Sequence, residues 1–139
     1  MKVVIIGGVA AGMSAAARLR RLDEHAEITV YEMSEHVSYA NCGLPYFVSD
    51  VISNRDHLLL QTPTALWNRF RIKAKVQHMV TAINREEKTV TVKNLATGTI
   101  HEDSYDKLVI ATGARPRKLD IQGIERAMSL RNVTDADAM

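Results

Sequence analysis

The stretch from Lys2 to Glu32, KVVIIGGVAAGMSAAARLRRLDEHAEITVYE, decides the fold. Lys2 to Ile6 is a short β-branched run suited to a strand buried on both faces. Gly7 and Gly8 interrupt it. Gly12 to Leu22 then predicts a helix, with Ala11, Ala15, Leu19 and Leu22 spaced as one apolar face for a sheet. Asp23-Glu24-His25 ends that helix, and Glu27 to Tyr31 reads as a second strand. Two strands joined by a helix of this length make a βαβ unit, parallel and with a right-handed crossover.

Gly7-Gly8-Val9-Ala10-Ala11-Gly12 sits between the first strand and the helix. The dinucleotide fingerprint there is G-x-G-x-x-G, in which the glycines permit a tight turn, close approach of pyrophosphate and helix–strand packing. Gly7 and Gly12 match, while Val9 occupies the middle glycine's position. Glu32 closes the second strand twenty residues after Gly12, where a carboxylate accepts hydrogen bonds from ribose hydroxyls. The helix N-terminus adds oriented N–H groups for the pyrophosphate. Met33 after Glu32, in place of Arg, suits an unphosphorylated ribose and hence FAD or NAD.

Outward from this unit the chain is less regular at first. Cys42 opens a short expected helix through Ser49, with Pro45 in its first turn. Pro63 to Phe70 is another, with Thr62 as N-cap. From about Lys73 the pattern turns to strands: Val80 to Asn84, Lys88 to Asn94 and Thr99 to Tyr105 read as an antiparallel meander. Lys107 to Ala111 is then a buried strand closing on Thr112-Gly113. A meander inserted before that strand departs from the repeating βαβ of a plain NAD domain and favours flavin. Arg115-Pro116-Arg117 is linker-like, Met128 to Leu130 is a candidate for brief strand pairing, and Thr134 to Asp137 resembles a capped helix start. A domain does not normally end by starting a helix, so the chain reads as truncated.

Composition excludes several classes. The 139 residues suit one domain, and 46% hydrophobic with 24% charged residues is globular composition. A net charge of +2 gives no reason to expect a nucleic-acid partner, and no segment reaches the length of a membrane span. Lys2 and the run from Val3 to Ala17 imitate a secretory signal, but the carboxylate in register downstream belongs to a nucleotide fold, so a cytoplasmic protein is expected. His25, His36, His57, His78 and His101 lack the i, i+4 spacing of a helical metal site, and none is expected. Trp67 and Phe70, at i and i+3, suggest a packing face.

A single cysteine rules out a disulfide framework. Cys42 lies among small and polar residues at a helix start, which favours a reactive thiolate. A small buried hydrophobe is the other reading, and the residues alone leave both open. Ser14, Arg18 and Arg21 fall on one helical stripe, at i, i+4 and i+7. Two arginines there suit either a solvated face or a polyphosphate bound by charge-assisted bonds.

Gly7-Gly8-Val9-Ala10-Ala11-Gly12, Glu32, Tyr39-Ala40-Asn41-Cys42-Gly43-Leu44-Pro45 and Ala111-Thr112-Gly113 together resemble the flavin-dependent pyridine nucleotide–disulfide oxidoreductases. The similarity is greatest to the coenzyme A-disulfide reductase branch, near NADH oxidases and persulfide reductases. It runs through the whole chain, which corresponds to the N-terminal third of such an enzyme.

The resemblance implies an α/β fold: a Rossmann-like FAD-binding βαβ core with an inserted antiparallel β-meander. Residues 1–114 would be the incomplete FAD-binding domain, and 115–139 a linker and the start of a nicotinamide-binding domain. It assigns Cys42 the catalytic role, cycling between thiolate and a mixed disulfide with coenzyme A. It assigns cofactor contacts to Gly7, Gly8, Val9, Ala10, Ala11, Gly12, Glu32, Met33, Asn41, Cys42, Val80, Ala111, Thr112, Gly113 and Arg131. It assigns substrate contacts to Ser14, Arg18, Arg21, Ser38 and Asn41. A basic residue of some relatives falls at Phe70, flanked by Arg69 and Arg71. The implied activity is NAD(P)H-dependent reduction of coenzyme A disulfide, or of a coenzyme A persulfide or polysulfide, by a homodimer, with NAD(P)H bound by regions beyond these residues. An NADH oxidase with a cysteine sulfenic acid and a non-catalytic dinucleotide-binding module are the alternatives.

Overall fold

The computed structural model describes residues 1–139. Its strands are β1 (Lys2–Ile6), β2 (Glu27–Tyr31), β3 (Ile72–Lys75), β4 (His78–Asn84), β5 (Thr89–Asn94), β6 (Ile100–Ser104) and β7 (Lys107–Ile110). Its helices are α1 (Ala10–Leu22), α2 (Leu44–Val48), α3 (Pro63–Phe70) and α4 (Val133–Asp137). No helix is long and apolar enough to cross a membrane.

Val3, Val4, Ile5 and Ile6 are all buried, as a central strand covered on both faces requires. β1 pairs in parallel with β2 on one side and β7 on the other, Ile5 lying opposite both Val30 and Val109. β3 joins β2 to give a four-stranded parallel sheet of order β3-β2-β1-β7, with the outer edge of β7 unpaired, so Lys107–Ile110 is partly exposed and not the buried strand expected. β4, β5 and β6 form the separate antiparallel meander.

Alternate residues of β1 serve two cores. Val3 and Ile5 pack with Met13 and Ala16 of α1, Leu66 of α3, and Ile28, Val30 and Ile72. Val4 on the other face packs with Tyr31, Val90 and Val92, which docks the meander. Each such side chain, fully buried, contributes about 1.5 to 3 kcal/mol. A third core joins Tyr39, Leu44 and Leu58 to Val133 and Ala136 of α4.

Several expected details differ. The apolar face of α1 is turned: Gly12, Met13 and Ala16 are buried, Ala15 and Leu19 partly so, Ala11 is exposed and Leu22 is 68% exposed. The small residues set this, because a Cβ at Gly12 would run into the Gly7 carbonyl oxygen and the helix therefore approaches the sheet there. Arg20 locks the rotation by donating to the carbonyls of Phe70, Asp23, Glu24, Ala26 and Arg71, so every guanidinium donor is used.

Ile72–Lys75 is a fourth parallel strand rather than the approach to the meander, entered through Arg71 in the left-handed region (φ 52°). Asn41–Gly43 forms a separate 3₁₀ turn before α2, so Cys42 precedes the helix instead of opening it. Met128 to Leu130 forms no strand. The last helix is capped by Asn132, with Asp135 completing the capping box, not by Thr134. Thr62 does cap α3, its Oγ1 accepting from the Ala65 N–H at 3.1 Å.

Candidate functional site

The β1–α1 turn forms the floor of a cleft of about 770 Å³. Gly7 holds φ +101°, and a Cβ on it would run into the Ala111 carbonyl oxygen at the end of β7. Gly7 N–H donates to the Tyr31 carbonyl at 2.8 Å, which ties the turn to β2. Val9 is the N-cap of α1 but supplies no side-chain acceptor, so the first-turn N–H groups keep their donor capacity for a ligand. The mismatch at Val9 thus leaves the cradle intact, because it is Gly7 and Gly12 that meet with no room for a Cβ.

Glu32 is buried, at 7% exposure, and its carboxylate organises the turn. Oε2 accepts from the Gly8 N–H at 2.7 Å and Oε1 from the Ser34 N–H at 2.8 Å. Each oxygen keeps further acceptor capacity for a ribose hydroxyl. The donor-rich turn, the carboxylate and the glycine cradle fit the ribose and pyrophosphate of a dinucleotide.

Thr112 and Gly113 line the far side with Arg131. The Arg131 guanidinium lies 3.1 Å from where a Gly113 Cβ would stand, and its Nε donates to the Ala114 carbonyl at 3.0 Å. Tyr39 closes the cleft beside them, and its phenol is pushed above the usual range by burial, with Glu32 and Asp135 adding to the effect and Arg131 opposing it.

The cysteine segment is fastened to the same turn. Ser38, at φ 49°, donates its N–H to the Gly8 carbonyl at 2.8 Å, and Ala40 N–H reaches the Leu58 carbonyl at 2.8 Å. A Cβ at Gly43 would stand 2.9 Å from Leu58 Cδ2, so glycine lets this turn settle on the small core. Asn41 lines the cleft, and Cys42 beside it is exposed. That exposure removes the reading of Cys42 as a buried hydrophobe.

The cleft therefore brings together Gly7, Val9, Ala10, Ala11, Glu32, Met33, Asn41, Ala111, Thr112, Gly113 and Arg131. Gly8 and Gly12 are buried beneath it. Cys42 and Val80 do not line it; the Val80 side chain packs on the core of Val4, Tyr31, Val90 and Val92. Ser14, Arg18 and Arg21 are exposed on the outer side of α1 and outside the cleft. Sequence reading missed Tyr39, Asn132 and Asp135 as lining residues. The Asn132-x-x-Asp135 spacing was the available signal for the last two.

Comparison with known proteins agrees with this geometry. A family model described as pyridine nucleotide-disulphide oxidoreductase matches residues 1–139. The coenzyme A disulfide reductase of Staphylococcus aureus (strain JH9) is 40% identical over 138 residues, covering 99% of this chain and 31% of that protein. Reduced Bacillus anthracis CoADR-RHD superposes with a TM-score of 0.94 at 47% identity, over 99% of this chain and 25% of that one. An NAD-dependent persulfide reductase from A. fulgidus gives a TM-score of 0.93 at 41% identity, over 99% and 26%.

Proposed function

The chain belongs to the pyridine nucleotide-disulphide oxidoreductase family, and from that premise we propose that its cleft holds FAD and that Cys42 is the redox-active residue of a coenzyme A disulfide or persulfide reductase. The chain spans 31% of the length of the S. aureus relative, and the reading concerns the whole protein. Residues 1–114 would hold FAD, and residues 115–139 would lead toward a nicotinamide-binding domain. Electrons would come from NAD(P)H bound beyond these residues.

One observation carries the reading: exposed Cys42 directly follows Asn41, a lining residue of the nucleotide cleft. Bound FAD supplies two-electron transfer from reduced nicotinamide to a disulfide at that position. The Cys42 thiolate attacks one sulfur of coenzyme A disulfide, forming a Cys42–coenzyme A mixed disulfide and releasing one coenzyme A thiolate. Two electrons then cleave the mixed disulfide, restoring the Cys42 thiolate and releasing the second coenzyme A, which takes a proton. Glu32 orients the ribose, the first turn of α1 receives the pyrophosphate, and Arg131 adds positive charge opposite.

In the full-length protein, Cys42→Ser should abolish NAD(P)H-dependent coenzyme A disulfide reduction. Bound FAD and electron transfer from NAD(P)H to an artificial acceptor should persist. Retained disulfide reduction in that variant would overturn the role of Cys42.

A further inference from the structure

The wall of the cleft that carries Arg131, Asn132 and Asp135 leads into α4, a helix of five residues. A helix so short has no stability of its own: burial of Val133 and Ala136 seats it on the core, and the polar contacts at its two ends fix its orientation there. At its start Asp135 Oδ2, besides closing the capping box with Asn132, takes the Arg131 N–H at 2.7 Å, and Arg131 Nε reaches the Ala114 carbonyl at 3.0 Å. At its end Asp137 is gripped by a fork from Arg55, Nε to Oδ1 at 2.6 Å and Nη2 to Oδ2 at 2.7 Å. Arg55 begins a 3₁₀ turn that ends at Leu58, and the Leu58 carbonyl receives the Ala40 N–H just ahead of Asn41 and Cys42.

We propose that the Arg55–Asp137 fork is a latch that fixes this wall of the cofactor cleft, making Arg55 a positioning residue for FAD although it lies outside the cleft. The inference rests on the reading of the cleft as a FAD site. An ordinary exposed ion pair does little, because solvent screens it and both side chains lose freedom. This pair differs in being bidentate, which fixes orientation as well as distance, and in joining two short elements 82 residues apart. The neighbourhood keeps the fork charged. Hydrogen bonding from Arg55 is the main cause holding the Asp137 carboxyl below the usual range, with slight burial opposing and the charges of Arg55 and His36 assisting. Asp56 and Glu35 add negative charge around the guanidinium, and His36 Nε2 lies 3.3 Å from Arg55 Nη2.

The test uses the full-length protein stripped of flavin and titrated with FAD, followed by flavin fluorescence, with the thermal midpoint of each apoprotein measured alongside. Arg55→Ala and Asp137→Asn should each weaken FAD binding about five-fold while the apoprotein midpoint stays put. Arg55→Lys, which keeps the charge without the fork, should recover only part of the loss. The reversed pair, Arg55→Asp with Asp137→Arg, should bind within about two-fold of the unaltered protein, and each reversal alone should not. Unchanged binding in Arg55→Ala, a reversed pair no better than the worse single reversal, or binding that falls only together with the midpoint would each overturn the latch. Failure of the unaltered protein itself to bind FAD would overturn the cofactor reading and the latch with it.

Discussion

The place of Glu32, at the end of the second strand and on the cleft, was legible from the spacing at which a carboxylate meets a ribose. Its structural task was not legible, because no pattern announces that its oxygens accept the Gly8 and Ser34 N–H groups. A buried acceptor of two backbone donors cannot be removed without leaving those donors unpaired. Glu32→Ala should therefore lower apoprotein stability by about 1.5 to 3 kcal/mol as well as weakening FAD binding. Urea unfolding of the full-length apoprotein beside a FAD titration checks this. A loss of binding with stability untouched would mean that Glu32 serves only the ligand. Cys42 shows the opposite balance: its residue type and neighbours left two readings, and only its exposed position on a glycine-seated turn separated them.

At the scale of elements, β1, α1 and β2 followed from the sequence because buried strands and small-residue helices leave strong periodic signals. The place of β3 did not: Ile72-Lys73-Ala74-Lys75 alternates as a strand does, but its parallel pairing with β2 rather than with the meander is decided by distant chain. The rotation of α1 was also hidden, because it depends on Gly12 meeting Gly7. The rotated helix still presents Ser14, Arg18 and Arg21 outward, and Arg20 alone of the neighbouring arginines is consumed by backbone carbonyls. Replacing Arg18 and Arg21 together with Ala should raise the KM for coenzyme A disulfide in the full-length enzyme. Each lost charge-assisted bond corresponds to about 1.5 to 3 kcal/mol, ten-fold or more. NADH oxidation by an artificial acceptor and the thermal midpoint should hold. An unchanged KM would return both arginines to the solvated face.

At the scale of the whole molecule, the meander is held to the parallel sheet by a polar clamp beside the Val4 core. Asp103 accepts from Lys2 Nζ at 2.6 Å and from the Tyr31 hydroxyl at 2.7 Å, while Lys2 N–H donates to Asp106 at 2.6 Å. Burial alone would raise the Asp103 carboxyl; the hydrogen bonds from Lys2 and Tyr31, with the charges of Lys2 and Lys75, outweigh it and hold the group below the usual range. A carboxylate depressed in the folded state stabilises fully above its unfolded value, about 3.9, and loses that contribution as pH falls through the lower folded value. Stability from this source should therefore hold from neutral pH to about 5 and decline in stronger acid. Asp103→Asn should cost roughly 1 kcal/mol at pH 7, screening of the partly exposed Lys2 included, and less near pH 2. Urea midpoints of both proteins across that range measure it, and parallel curves would dismiss the clamp.

The two margins of the parallel sheet are not equally guarded. β3 carries Lys73, paired with Glu27 at 2.8 Å, and Lys75 above the Tyr31 ring, so charge crowds that margin. β7 offers Leu108 and Val109 in mid-strand and leaves Ile110 63% exposed, with Lys107 its only charge. An unpaired, flat, apolar strand is a template for another copy of itself, and lysines are the usual gatekeepers against such pairing. Ile110→Lys would give this margin the kind of charge that Lys73 and Lys75 already give the other.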